Sequence, residues 1–250
     1  DCTVLEIGPG IGTLTRSLAA RYKRVIALEV DRSLIPVLRY TLEDCPNVTV
    51  VNEDVMQTDL PALLAEAFAA GSVAVCANLP YYITTPILMK LLESRLPFSG
   101  ITVMVQAEVA DRLCAGAGEK AYGAITAVLN YYARAEEILF VPADRFVPAP
   151  KVNSKVIRIT LWQEKPCVPR DEALLFRTVK AAFGQRRKTL ANALATGYPE
   201  LGKERVSKIL ADMGLAADIR GERLSIADFT ALSDRIGEAL SQTEGGNGHD

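Results

Sequence analysis

The chain has 250 residues, of which 49% are hydrophobic and 23% charged, a composition typical of a globular protein with room for one large and one small domain. Its net charge of −2 gives no overall sign of a nucleic-acid partner, so any such contact requires a local basic patch. A single histidine (His249), five cysteines without a C-x-x-C pair and no long apolar run argue against histidine-based catalysis, a bound metal and a membrane span. We therefore expect a cytoplasmic protein with reduced thiols.

The first 165 residues alternate short apolar strands with helices. The predicted strands cover 4–7, 25–30, 48–51, 73–77 and 101–105, and the helices between them cover 13–21, 34–42, 60–68 and 86–92. Alternation at this spacing predicts βαβ units in a mostly parallel α/β sheet with helices on both faces. Segments 137–141 and 156–161 are predicted as later, antiparallel strands. Because a strand begins almost at the first residue, we expect an N-terminal segment to be absent from this sequence.

The pattern changes near residues 164–166. Beyond this point the predicted elements are all helices, at 172–183, 188–195, 203–213 and 225–240, with Gly and Pro between them. We therefore predict a first domain over 1–165 and a small all-helical domain over 166–242. The remaining residues, 243–250, are predicted to be a disordered tail.

A glycine-rich turn follows the first predicted strand. Gly8, Gly10 and Gly12 are spaced two apart, and Glu6 precedes them. The dinucleotide fingerprint G-x-G-x-x-G would need a glycine at position 13, which is Thr13. The spacing E-x-G-x-G-x-G is instead typical of class I S-adenosylmethionine methyltransferases, in which the backbone lies against the methionine and ribose. A tight turn that serves packing alone is the alternative.

Acidic residues follow the next two strands. Glu29 lies about twenty residues beyond the turn, where a carboxylate can accept both ribose hydroxyls. Asp54 follows the third strand, where a carboxylate can accept the adenine amino group of the cofactor. Each acid alone is as well explained as a solvated surface residue. Asn78 follows the fourth strand, and the recurrence of such residues after four successive strands favours a cofactor site at the carboxyl edge of the sheet.

The segment Asn78-Leu79-Pro80-Tyr81 ends the buried fourth strand. Pro80 fixes φ and has no N–H, so the chain must leave the sheet there and stiffen. This arrangement suits a planar ring with an amino group: the Asn78 oxygen and the Leu79 or Pro80 carbonyl accept its N–H groups, and Tyr81 stacks on its face. The alternative is a rigid strand-to-helix turn with a core tyrosine.

Together these motifs resemble the ribosomal RNA adenine dimethyltransferase family, and within it the bacterial enzymes that dimethylate two adjacent adenines near the 3′ end of small-subunit rRNA. Further matching segments lie at 120–123, 146–154 and 182–188, so the resemblance covers almost the whole chain up to the tail. Two departures stand out. The family's Gly-Gln-(Asn/His)-Phe-Leu segment, which closes over the cofactor, is absent before the first strand, and Tyr82 stands where several members have Asn.

The resemblance implies S-adenosylmethionine as methyl donor, no metal, and a monomer that acts on small-subunit rRNA or an immature subunit. It implies catalytic roles for the Asn78-Leu79-Pro80-Tyr81 segment, and cofactor contacts from Glu6, the glycine turn, Glu29, Asp54 and also Asn78. Because hydrogen bonds to the adenine N6 amine would turn its lone pair toward the methyl group, no strong base is required, in keeping with the lack of histidine. Phe146 either closes the other face of the base or is a core aromatic residue beside a Pro-rich turn.

A basic segment lies in the second predicted domain, with no acid between Glu172 and Glu200. Clustered cations in an otherwise neutral chain favour contacts with RNA phosphates, although an ordinary solvated helix face is the alternative. The candidates are Arg177, Lys180, Arg186, Arg187 and Lys188, with Lys151, Lys155 and Arg158 as an extension of this patch.

Three other functions are considered. A macrolide-resistance type enzyme acting on large-subunit rRNA commonly has Ile before the Pro of the acceptor loop and lacks the F-x-Q-R-R-K run found here at 183–188. A ribosome-assembly factor would bind immature small subunits with methylation as a secondary activity. A dehydrogenase is the most distant alternative, and titration with NAD and with S-adenosylmethionine would distinguish a dehydrogenase from a methyltransferase.

Overall fold

The structure is a computed structural model and describes residues 2–185 and 187–246. The described chain forms two compact units. The first contains the residues up to Asp111 and Ala133–Leu161, and the second contains Arg112–Tyr132 and the residues from Trp162 onwards. Residues 112–132 therefore fold with the second unit, whereas the sequence-based division placed them in the first domain.

Within the described residues, the strands of the first unit are β1 (Cys2–Ile7), β2 (Arg24–Leu28), β3 (Val48–Val51), β4 (Ser72–Asn78), β5 (Ile101–Gln106), β6 (Ala133–Val141) and β7 (Ser154–Leu161). They form one sheet with the order β3-β2-β1-β4-β5-β7-β6. The first five strands pair in parallel, and β7 runs antiparallel to both β5 and β6. The predicted α/β, Rossmann-like fold class is confirmed.

Helices connect the parallel strands: α1 (Thr13–Ala19), α2 (Ile35–Thr41), α3 (Leu60–Ala70) and α4 (Thr84–Glu93). A further helix, α5 (Ala107–Cys114), follows β5 and was not predicted from the sequence pattern. The start of α3 is fixed by Asp59, whose side chain accepts a hydrogen bond from the Ala62 amide.

The central strands are buried on both faces, as parallel strands between two helical layers must be. Val4 and Leu5 of β1 and Val73 and Val75 of β4 are almost completely buried, and each such side chain contributes about 1.5–3 kcal/mol. The sheet is therefore a rigid frame, and the loops that follow β1 to β4 emerge at its carboxyl edge.

The helices of the second unit are α6 (Ala124–Tyr132), α7 (Glu172–Phe183), α8 (Leu190–Gly197), α9 (Gly202–Asp212) and α10 (Ile226–Gly246). The sequence pattern did not predict α6. The ring of Phe176 in α7 lies 5.5 Å from that of Tyr131 and 5.9 Å from that of Tyr132. The Tyr131 hydroxyl also donates to Glu172 Oε2 at 2.9 Å. These long-range aromatic contacts explain why residues 112–132 belong to the helical unit.

The last helix is longer than predicted. It continues to Gly246, four residues into the predicted tail. Residues 247–250, which include His249, lie outside the described residues. Among the helices of the described residues, none combines the length and the hydropathy that a membrane span requires.

Candidate active site

The glycine turn after β1 has a backbone conformation that favours glycine, with φ of +70° at Gly8, +60° at Gly10 and +90° at Gly12. A Cβ atom at Gly12 would lie 3.1 Å from Thr41 Oγ1, so this glycine is also needed for packing against α2. A Cβ atom at Gly10 would meet no atom within 4 Å. The backbone at Gly10 therefore faces open space that a ligand can enter, which packing alone does not explain.

Glu29 is held firmly at the end of β2. It is only 5% exposed. Its Oε2 accepts a hydrogen bond from the Gly10 amide at 3.2 Å, and its Oε1 accepts one from the Asp31 amide at 2.9 Å. Because a carboxylate oxygen can accept a second hydrogen bond, the fixed group can still receive hydroxyl donors from a ligand.

Asp54 lies in the loop after β3 and is half-buried. Its Oδ1 accepts a hydrogen bond from the Met56 amide at 2.8 Å. The Asp54 carbonyl accepts bonds from the amides of Gln57 and Thr58, so the loop is a compact turn. Among the described residues, no group donates a hydrogen bond to the other carboxylate oxygen of Asp54.

A cavity of about 350 Å³ lies where these loops meet. Gly8, Gly10, Glu29 and Asp54 all line it, together with Pro80. Sequence reasoning missed the apolar part of the wall, which consists of Ile7, Leu28, Val30, Leu34, Val55, Ile83 and Ile87. These residues carry no motif of their own, and only their position beside the predicted acids could have indicated them.

Glu6 does not line this cavity, although it was predicted to contact the cofactor. It is 1% exposed, and its Oε2 is buried without a hydrogen-bond partner among the described residues. Burial raises the pKa of Glu6 from its usual 4.5 to about 7, and the nearby Thr15 hydroxyl partly offsets the rise. Glu6 therefore lies inside the sheet behind the glycine turn. Gly12 and Asn78, which were also predicted to contact the cofactor, are likewise not among the described residues that line the cavity.

The Asn78 segment leaves the sheet as predicted from its proline. The Leu79 amide still donates to the Met104 carbonyl at 3.1 Å, which is the last backbone bond of this kind before Pro80. The Pro80 carbonyl accepts hydrogen bonds from the Ile83 amide and from the Thr84 hydroxyl. Because both acceptor positions of that carbonyl are used, the Leu79 carbonyl is the better candidate for a substrate amine.

The side chain of Asn78 is exposed at the sheet edge, and among the described residues its amide has no hydrogen-bond partner. Tyr81, in contrast, is anchored. Its hydroxyl lies 2.8 Å from Ser154 Oγ, and Ser154 is completely buried at the start of β7. Sequence reasoning gave Ser154 no role, although it ends the 146–154 segment. The neighbouring Tyr82 lines the cavity and is 85% exposed.

Phe146 follows a short 3₁₀ turn at Ala143–Arg145 and is half-buried. It is not part of the buried core, and within the described residues its ring contacts no other aromatic ring. The core reading of Phe146 thus loses support, and its contact with a target base stays a prediction.

The predicted RNA contacts fall into two groups, and the second of them, Lys155 and Arg177, is paired with acidic residues. Lys151, Lys180, Arg187 and Lys188 are exposed, as is Arg158. Arg186 lies outside the described residues.

Lys155 and Arg177 already have acidic partners. Lys155 Nζ donates to Asp111 at 2.6 Å and to Glu137 at 2.8 Å, and these bonds raise the pKa of its ammonium group. Arg177 donates to Glu200 at 2.7 Å and lies over the Tyr198 ring. The acidic partners are distant in sequence, so the apparent excess of positive charge was partly misleading.

The Rossmann-like sheet, the glycine turn and the acids at the ends of its strands define a class I methyltransferase. Two solved structures agree with this fold. A dimethyladenosine transferase from Plasmodium falciparum has a TM-score of 0.76 and 22% identity, covering 95% of this chain and 90% of that chain. The 23S rRNA methyltransferase ErmE has a TM-score of 0.69 and 27% identity, covering 95% of this chain and 91% of that chain.

The chain belongs to the Ribosomal RNA adenine dimethylase family, whose model matches residues 1–236. Two curated relatives carry the name Ribosomal RNA small subunit methyltransferase A. The protein from Alkaliphilus oremlandii is 46% identical over 240 residues, which cover 96% of this chain and 83% of that protein. The protein from Bacillus licheniformis is 49% identical over 241 residues, which cover 95% and 82%. The family inferred from the sequence motifs is confirmed.

Proposed function

We propose that this protein transfers methyl groups from S-adenosylmethionine to the N6 amines of two adjacent adenosines near the 3′ end of small-subunit rRNA. The observation that carries the proposal is the position of the Asn78-Leu79-Pro80-Tyr81 segment. Pro80 of this segment lines the same cavity as Glu29 and Asp54, so an acceptor loop and a cofactor cavity share one wall. Family membership supplies the reaction class, rRNA adenine dimethylation.

The cavity fits the methyl donor in size and in chemistry. Its volume of about 350 Å³ is within the range of small-molecule sites, and its wall is mainly apolar with a few polar groups. Glu29 would accept the ribose hydroxyls, Asp54 would accept the adenine amine, and the open backbone at Gly10 would lie against the ligand. When bound, S-adenosylmethionine supplies an electrophilic methyl group on its sulfonium.

The acceptor loop would orient the target base. Asn78 Oδ1 and the Leu79 carbonyl would accept hydrogen bonds from the N–H groups of the amine and thereby turn its lone pair toward the methyl group. Tyr81 would stack on the base, with its ring held by Ser154. The base must leave its stack to reach this loop. Glu6 is the described acid whose pKa is raised to about 7, but it is buried behind the glycine turn and does not serve as a base.

The helical unit is proposed to recognise RNA. Its exposed cations Lys180, Arg187 and Lys188 would contact phosphates, and Lys151 of the first unit would add to them. We propose that the enzyme works as a cytoplasmic monomer on an immature ribosomal small subunit.

The large-subunit alternative is not favoured. Relatives named for the small subunit are 46% and 49% identical to this chain, whereas the 23S rRNA methyltransferase ErmE is 27% identical. The Leu79 position also differs from the Ile common in that group.

The test is to map labelled methyl groups on rRNA from small subunits that lack the modification. Two adjacent dimethylated adenosines near the 3′ end are expected. Labelling of other nucleotides, or hydrolysis of the cofactor with no methyl group on the rRNA, would contradict the proposal.

Asn78→Ala is expected to cut turnover far more than it changes cofactor affinity, because the hydrogen bonds of Asn78 matter most as the amine reacts. A variant that binds subunits and assembles them normally with no methylation would separate catalysis from an assembly role.

A further inference from the structure

Lys90 is a charged residue of the first unit that no part of the proposed mechanism uses. It lies in the second turn of α4 and is half-buried. Its Nζ donates to the Met56 carbonyl at 2.9 Å and to the Thr58 carbonyl at 2.8 Å. Both carbonyls belong to the loop after β3, which carries Asp54. A single ammonium group on one helix therefore holds the backbone of a loop about thirty residues earlier in the chain.

The backbone amide and carbonyl of Met56 connect Lys90 to Asp54. The Met56 amide donates to Asp54 Oδ1 at 2.8 Å, while the Met56 carbonyl accepts from Lys90. On the other side of the turn, the Thr58 hydroxyl lies 2.9 Å from the Asp54 carbonyl and 3.0 Å from Glu53 Oε2. The Asp54 carboxylate is thus oriented by one residue whose other end is fixed by the lysine.

The same helix is also tied to the acceptor loop. α4 begins at Thr84, whose hydroxyl donates to the Pro80 carbonyl at 3.0 Å. Ile87 of this helix lines the cofactor cavity, and Lys90 lies almost one turn further along. A displacement of α4 would therefore change the positions of both the Asn78 segment and the Asp54 loop.

We propose that Lys90 is a positioning residue for adenine recognition: it fixes the 54–58 turn so that the Asp54 carboxylate faces the amino group of the cofactor's adenine. The inference rests on the proposed role of Asp54 in the cofactor site. Lysine suits this task because its ammonium carries three donors on a long apolar stem, enough to satisfy two carbonyls at once. Methionine keeps the apolar stem but has no donor.

The experiment uses two product-like ligands, S-adenosylhomocysteine and S-inosylhomocysteine, which differ at the amino group of the base. Calorimetry gives the dissociation constant of each ligand. The constant for S-inosylhomocysteine divided by that for S-adenosylhomocysteine measures the preference for the amine. Asp54→Ala should lower this ratio by about tenfold or more, the scale of a hydrogen bond to a charged group. Lys90→Met should lower it by about three- to tenfold, because the carboxylate is then free to turn away from the amine.

Two controls accompany the lysine variant. Glu93→Gln changes a charged residue on the same helix, and Glu93 lines the same 630 Å³ groove between α3 and α4 as Lys90. Its ratio should equal that of the wild type. Lys90→Arg keeps a donor and should restore most of the preference. If Lys90→Met fails to fold in a thermal unfolding assay, the same ratio is measured with Lys90→Gln, whose shorter side chain still carries an NH2 donor group and is expected to show a smaller loss.

The outcomes separate the inference from the function on which it rests. If the lysine variant weakens both ligands by the same factor, the ratio is unchanged and Lys90 is only a structural residue, which overturns the inference. If Asp54→Ala leaves the ratio unchanged, the proposed role of Asp54 fails and the inference fails with it. A loss of preference in Asp54→Ala and Lys90→Met, with none in Glu93→Gln, supports both.

Discussion

The hydrogen bond between Tyr81 and Ser154 allows a sharp test of the acceptor loop. The two hydroxyl oxygens are 2.8 Å apart. We expect Tyr81→Phe to lower kcat/KM for rRNA methylation, because the phenyl ring keeps its stacking face but loses the bond that holds its orientation. The affinity for S-adenosylmethionine should not change, because Tyr81 does not line the cofactor cavity.

The burial of the two partners sets the magnitude. Ser154 is completely buried, so removing the tyrosine hydroxyl leaves the serine oxygen without a partner, at a cost of about 1–3 kcal/mol in unfolding free energy. Tyr81 is half-buried, so in Ser154→Ala water can replace the lost partner and the cost is about 0.5–1.5 kcal/mol. If about 1 kcal/mol of this acts on ring orientation, kcat/KM falls roughly fivefold.

The assay is a double-mutant cycle with Tyr81→Phe, Ser154→Ala and the double variant, measured in both denaturant unfolding and single-turnover methylation. Tyr40→Phe, which removes a hydroxyl from a 76% exposed tyrosine, is the matched control and should change neither quantity. A coupling energy of about 1 kcal/mol is expected in both assays. If the free-energy losses of the two single variants simply add up in the double variant, the hydrogen bond between Tyr81 and Ser154 is refuted. Coupling in stability with an unchanged kcat/KM would refute the claim that the bond orients the ring for catalysis.

Three further predictions concern the cofactor, the RNA and pH. Glu29→Ala should weaken S-adenosylmethionine binding by about 1.5–3 kcal/mol, and unchanged affinity by calorimetry would remove Glu29 from the site. Replacing Arg187 and Lys188 by Ala should flatten the log–log salt dependence of subunit binding by about 1.4–1.8, whereas Lys155→Met, at a residue already paired with two acids, should leave it unchanged; equal slopes for all variants would mean that the patch contacts no phosphate. Because burial raises the pKa of Glu6 from 4.5 to about 7, the folded state binds an extra proton between these pH values, and the unfolding free energy should fall by up to about 3 kcal/mol as the pH rises across that range. Glu6→Gln should flatten this slope in denaturant unfolding at pH 5 and pH 7.5, and an unaltered slope would show that another group titrates.

The sequence by itself determined those features that depend on local backbone chemistry. Glycines at 8, 10 and 12 were predicted to form a tight turn, and all three have positive φ. Pro80 was predicted to end a buried strand, and β4 ends two residues before it. Strands and helices of the sheet could be located because each requires a pattern of apolar residues within a few positions. The convergence of Glu29 and Asp54 on one cavity also followed, because parallel strands end at the same edge of a sheet.

Only the tertiary structure decided which groups are paired across the chain. Arg177 is neutralised by Glu200, and the hydroxyl of Tyr81 is held by Ser154. Residues 112–132 fold with the helical unit because Tyr131 packs on Phe176. Each of these pairs joins residues separated by 23 to 73 positions. Local sequence patterns report the conformation of a segment, whereas a pair of distant side chains depends on how whole strands and helices pack, and no local pattern encodes that geometry.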